Sequence, residues 1–191
     1  MRAFAHNLLS SRGDFPGTRE DIMDIESALK TAIEYEKRVV ATYTEALEAT
    51  SDPAGKRVFA LLQGEERDHV AYIESKLAAY LKEGALSSED LGTQLPDSEK
   101  IRSAAKNLKE ALGEPEFKGE LDMLKRAQAV ELETSEFYHR MVDELPDQGR
   151  AFFRRFVEIE DGHVALVEAE IEYLQHKGAW LSVDDGDLRL F

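Results

Sequence analysis

Apolar residues recur at three- and four-residue intervals along four long stretches of the chain, the spacing of helices that bury one face. The first stretch, about residues 20–50, aligns Ile22, Ile25, Leu29, Ala32 and Ile33, Val39 and Val40, Tyr43 and Leu47. Asp52, an N-cap residue ahead of Pro53, starts the second, which carries Phe59, Leu62, Ile73 and Leu77 and fades near Gly84. The third, roughly residues 117–144, aligns Leu121, Leu124, Ala127, Tyr138, Met141 and Val142. The fourth begins near Pro146 and Asp147, carries Phe153, Phe156, Val167, Ile171 and Leu174, and runs to about Lys177, with Gly178 suited to end it. Between the second and third, residues 84–97 are rich in Gly, Ser, Asp and Pro and read as loop. A shorter helix is expected from Ser98 to Leu112, stopped by Gly113. A connection this long suits a crossover rather than a tight helical hairpin. Strand signals are almost absent, so the pattern predicts an all-α chain.

Polar residues interrupt the apolar stripes at matched places. Glu36 and Tyr43 fall in the first stripe, Glu66 and His69 in the second, Glu131 and Tyr138 in the third, and Glu160 and His163 in the fourth. The separations are 7, 23 and 3 residues in one half and 7, 22 and 3 in the other. An ionised carboxylate buried without a partner costs several kcal/mol. Four of them at core level call for compensation. Two divalent cations balance four carboxylates, and the i, i+3 spacing sets each Glu and His on one helix face. Plain packing residues with a polar handle, donors to the ligands, and redox-active groups are three roles open to Tyr43 and Tyr138.

The Glu-x-x-His motif alone says little, because a third copy, Glu136 with His139, lies among Glu133, Arg140 and Asp143 on a polar face. Glu34 and Glu133 stand two residues from the inward Glu of their helices, turned about 200° away, and are expected on solvated surface. Glu65, beside Glu66, fits either face. Whether Glu133, Glu136 or His139 adds to the site is open at this level.

Composition narrows the chemistry. The 191 residues suffice for one domain with a sizeable core. A net charge of −15 opposes nucleic-acid binding. No apolar run reaches the ~20 residues of a membrane span. The absence of cysteine removes thiolate metal sites, iron–sulfur clusters and cysteine nucleophiles, so a metal here has carboxylate and imidazole ligands, which suit iron or manganese. Residues 1–19 read as a loose N-terminal arm of a cytoplasmic protein and 20–177 as the bundle. Residues 178–191, with Trp180, Leu181, Leu188, Leu190 and Phe191, read as a tail packed on the bundle or on a partner subunit, which suggests a homodimer.

The segments AIEYEKRVVATY (32–43), GEERDH (64–69), AVELETSEFY (129–138) and EIEDGH (158–163) resemble the rubrerythrin-like branch of the ferritin-like proteins, over most of residues 20–177. The resemblance implies a ferritin-like four-helix bundle holding a non-haem di-iron centre on Glu36, Glu66, His69, Glu131, Glu160 and His163, with manganese or a mixed Fe/Mn pair as variants. It implies peroxide or O₂ as oxidant. Two departures stand out. Rubrerythrins carry a Cys-rich rubredoxin-like domain, absent here, so electrons are expected from a separate donor protein. They also place a second ligand Glu one turn after the Glu of the third helix, where this chain has Thr134. An oxidoreductase is therefore the leading expectation, an iron-handling ferroxidase or storage-like protein the second, and a non-catalytic helical interaction module the third.

Overall fold

The computed structural model describes residues 23–87, 91–107, 117–184 and 187–190. They form helices α1 (Ile25–Ala49), α2 (Pro53–Glu83), α3 (Ser98–Asn107), α4 (Lys118–Glu144) and α5 (Asp147–Lys177), followed by strands β1 (Leu181–Asp184) and β2 (Asp187–Leu190). The chain is thus a helical bundle with one small hairpin. The N-terminal arm, Ile22, and the expected end of the short helix at Leu112 and Gly113 lie outside the described residues. Among those described, no helix is long and apolar enough to cross a membrane.

Local chemistry sets the helix ends. The carboxylate of Asp24 accepts the Ser27 N–H at 2.7 Å and starts α1. Asp52 accepts from Ala54 and Gly55 at the head of α2. Each bond satisfies an N–H that the first helical turn leaves without a backbone partner. Gly84 and Gly178 close α2 and α5 in the left-handed region, at φ 69° and 61°, where a Cβ is strained.

The helix directions follow from two long-range hydrogen bonds. Tyr138 on α4 donates to Glu36 on α1, and Tyr43 on α1 donates to Glu131 on α4. Rising numbers on one helix meet falling numbers on the other, so α1 and α4 are antiparallel. The short turns at residues 50–52 and 145–146 make α1–α2 and α4–α5 antiparallel hairpins as well. Consequently α2 and α4 run the same way, and the segment joining them must return along the length of the bundle. Leu86 and Leu91 pack into the apolar cluster at one end, Leu95 and Ile101 into the cluster at the other. Arg155 donates to the Leu91 carbonyl at 3.0 Å, and Tyr173 to the Ala105 carbonyl at 2.6 Å, fastening this crossover to α5. The long connection expected between the second and third long helices is present.

The core is divided. One cluster contains Val39, Tyr43, Phe59, Leu62, Leu124, Val167, Leu174 and Trp180. The other contains Leu29, Ile33, Ile73, Phe137, Tyr138, Phe152, Phe153 and Phe156. Residues 36, 66, 69, 131, 160 and 163 lie between these two sets on all four long helices, so a polar layer separates two apolar halves.

The C-terminal segment differs from the sequence expectation in kind. It does pack back through Trp180 and Leu181, both buried. It also forms an antiparallel pair, with Leu181 opposite Leu190 and Asp184 opposite Asp187. Trp180 lies edge-on to Phe59, with centroids 5.6 Å apart, and covers Gly55, where an added Cβ would come within 2.7 Å of the indole.

Candidate metal centre

Each of the six expected ligands comes from the inner face of a long helix. Glu36 comes from α1, Glu66 and His69 from α2, Glu131 from α4, and Glu160 and His163 from α5. All are buried, none more than 1% exposed. One helical turn before and after them stand Leu62, Ile73, Phe156 and Val167, so the apolar stripe that folds each helix carries its ligands inward.

Four of the six gather most tightly. Ligand-type atoms of Glu66, His69, Glu160 and His163 all lie within 4.8 Å of one another, a group that can hold a metal ion. His69 Nδ1 is 3.2 Å from Glu160, 3.3 Å from Glu66 and 3.4 Å from Glu36. His163 Nδ1 is 2.5 Å from Glu66, 3.9 Å from Glu160 and 4.0 Å from Glu131. The two imidazoles are nearly parallel, with centroids 5.4 Å apart. Glu36 thus flanks the His69 side, and Glu131 flanks the His163 side.

The tyrosines are crossed between the halves. Tyr43 donates to Glu131 Oε1 at 2.6 Å, and Tyr138 donates to Glu36 Oε1. Each outer carboxylate therefore has one oxygen engaged and the other free. The close imidazole–carboxylate approaches are ion-pair contacts without hydrogen-bond alignment, so Glu36 Oε2, Glu131 Oε2, both oxygens of Glu66 and of Glu160, and both nitrogens of His69 and of His163 have no aligned hydrogen-bond partner. Buried polar atoms are ordinarily paired. Ten such oxygen and nitrogen atoms lie in one layer, and four of its residues, Glu66, His69, Glu160 and His163, can hold a metal ion.

Without a cation the layer holds protons instead. Burial pushes the Glu36 carboxyl well above the usual range, and the neighbouring Glu160 and Glu66 push it further. Burial and Glu66 do the same for Glu131. Burial opposes charge on Glu66 too, but His163 and His69 outweigh it and hold Glu66 well below the ordinary value. Burial likewise disfavours the charged imidazoles. Glu66 and Glu36 outweigh it at His69, and Glu66 with Glu65 at His163, so both rings stay protonated to higher pH than usual. Burial and the facing carboxylates raise both tyrosines, keeping them as O–H donors.

The remaining candidates fall outside this layer. Glu136 and His139 are exposed, and His139 faces Asp161 at 3.3 Å. Glu34 is exposed, and Glu133 pairs with Arg38 on the surface. Thr134 is buried but donates to the Val130 carbonyl of its own helix. Glu65, which fitted either face, is buried beside the layer, with Oε2 3.9 Å from His163 Nε2 and Oε1 accepting the Gln94 N–H at 2.9 Å. Burial alone would raise its carboxyl, but the nearby His163 imidazole, the Thr93 hydroxyl and the Gln94 N–H bring it down to about 2.

One buried acid was missed. Glu170 is fully buried on α5, accepts the Leu181 N–H at 3.0 Å and leaves Oε1 unpaired. Burial pushes its carboxyl up, against the effect of that bond. The signal was present, since Glu170 is two turns beyond His163 on the same face, whereas Ile171, read as core, is only half-buried. No protein-family model, curated protein or solved structure gives a significant match to the chain.

Proposed function

We propose that the chain is a ferritin-like, rubrerythrin-like protein whose polar layer binds two iron ions, and that it is an oxidoreductase acting on peroxide or O₂. The observation that carries this reading is the set of orphaned oxygens and nitrogens on Glu36, Glu66, His69, Glu131, Glu160 and His163, supplied by four helices to one dry layer. Two divalent ions would neutralise the four carboxylates and displace the protons that the layer otherwise keeps. A bound iron pair supplies two electrons to an oxidant.

The protein's own groups have distinct tasks in this reading. Glu66 and Glu160, central in the layer, face both imidazoles and would help to hold both ions. Tyr43 and Tyr138 fix the outer carboxylates, so Glu131 and Glu36 each present one free oxygen inward. Their phenol protons lie next to the ligands and can be lent to a developing oxygen anion. Phe156 stacks against Tyr138 at 4.9 Å and meets His69 edge-on at 5.6 Å, which excludes water from that flank. With no cysteine in the chain, a separate protein or small reductant returns the electrons.

Anaerobic Fe(II) titration followed by peroxide tests the reading. Loading should stop at two irons per chain, and one peroxide should then oxidise both, taking up two protons and releasing two waters. Loading far beyond two per chain would move the assignment to iron storage. Loading near zero would refute it.

A further inference from the structure

The two halves of the repeat differ at the position just before the Glu-x-x-His motif. Glu65 precedes Glu66 in the first half, and the matching residue before Glu160 in the second half is Ile159, which packs in the apolar cluster. The two histidines therefore have different backing. Nδ1 of each ring faces the shared carboxylates. Nε2 of His163 points to Glu65 Oε2 at 3.9 Å, whereas Nε2 of His69 has no partner and its ring edge meets Phe156.

Glu65 is itself held. Its Oε1 accepts the Gln94 N–H at 2.9 Å, and the neighbouring Thr93 hydroxyl favours its charged form. Thr93 additionally accepts the Leu95 N–H at 3.0 Å, and Leu95 is buried in the core. The crossover between α2 and α3 thus clamps Glu65 from behind. Its Oε2 is buried and has no hydrogen bond. A separation of 3.9 Å is an electrostatic contact, not yet a hydrogen bond. Once Nδ1 of His163 is engaged, its Nε2–H is a stronger donor, and Glu65 is the acceptor it meets. A carboxylate on the far nitrogen of a ligand histidine fixes the ring's tautomer and orientation and makes it a better ligand.

We propose that the two metal positions are inequivalent, and that Glu65, anchored by the Gln94 N–H, is the positioning residue that makes the His163 position the tighter one, filled first. This rests on the di-metal reading above. Filling is ordered: the His163 side loads at low metal concentration, and the His69 side, lacking an orienting group, loads later and exchanges faster. The crossover becomes part of the metal site without contributing a ligand.

The test is a stepwise titration of the full chain with Co(II), followed by calorimetry and by the visible absorption of the bound ion. The wild type should show two steps of unequal affinity. Glu65→Gln should weaken the tighter step about 10–100-fold and leave the weaker one in place. His69→Ala should abolish only the weaker step. Glu65→Asp should restore part of the difference, and Thr93→Val, which loosens the clamp without touching the carboxylate, should weaken the tighter step by less than Glu65→Gln does. Thermal melting of each metal-free variant separates folding from affinity. Two equal steps in the wild type, or unchanged steps in folded Glu65→Gln and Thr93→Val, would overturn the proposal while leaving the di-metal reading intact. No binding by the wild type would overturn both.

Discussion

Raising the pH of the metal-free protein should unfold it, and bound metal should remove that sensitivity. In the folded chain Glu36, Glu131, His69 and His163 all hold protons to higher pH than they would unfolded. A group whose folded pKa is raised stabilises the fold below its unfolded pKa, and that contribution is lost as pH rises through the folded value. For the histidines the loss begins near 6.5, and for the two carboxyls it begins lower, near 4.5. Glu66, held well below its ordinary value, is ionised in both states at neutral pH and adds no slope there. Each proton kept only by the folded state costs about 1.4 kcal/mol per pH unit. The two imidazole protons set an upper limit of about 3 kcal/mol per unit, and all four groups one of about 6, reached only while every one stays protonated in the fold. A typical domain has about 5–15 kcal/mol in total, so even part of that slope is a sizeable share of it. The assay is the urea midpoint or Tm of chelator-stripped protein between about pH 6.5 and 8.5, repeated with Mn(II) at saturation. The metal-free midpoint should fall steeply and the metal-bound one should stay nearly level. A flat metal-free profile would refute the charge balance assigned to the layer.

Other predictions concern single contacts. Tyr138→Phe and Tyr43→Phe each remove one hydrogen bond to a buried carboxylate, and each should cost about 1.5–3 kcal/mol in urea denaturation, most clearly in the metal-bound state. Glu170→Gln should be tolerated within about 1 kcal/mol near neutral pH, because burial favours an uncharged side chain there. Glu170→Ala should cost more, since the Leu181 N–H loses its acceptor, and equal effects would contradict that assignment. Gly55→Ala places a Cβ 2.7 Å from Trp180 Cζ2. It should lower stability by about 1–3 kcal/mol and alter Trp180 fluorescence, the only indole signal in the chain.

The ligand layer was readable from sequence because its residues break a strong pattern. Glu36, Glu66, Glu131 and Glu160 interrupt apolar stripes, and burial makes an inward Glu anomalous in a way that a surface Glu is not. The same reasoning kept Glu136 and His139 outside, since their neighbours Glu133 and Arg140 are polar. Glu65 could not be assigned because what buries it is the crossover at Thr93 and Gln94, a contact 29 residues away that no helical period encodes. Glu170 was obscured by its apolar neighbour Ile171, although its spacing from His163 was informative. The bundle order followed from helix length and loop length, whereas the C-terminal segment packs through Trp180 on the bare backbone at Gly55, a contact that no helical period encodes. Long periodic elements average over many residues, and a four-residue strand cannot.

The most direct measurement is metal content per chain by elemental analysis of protein purified without chelators, with anomalous scattering from its crystals to locate the ions. The account predicts two ions per chain, both in the layer bounded by Glu36, Glu66, His69, Glu131, Glu160 and His163. An empty layer, or ions found only at exposed residues such as Glu136 and His139, would contradict it.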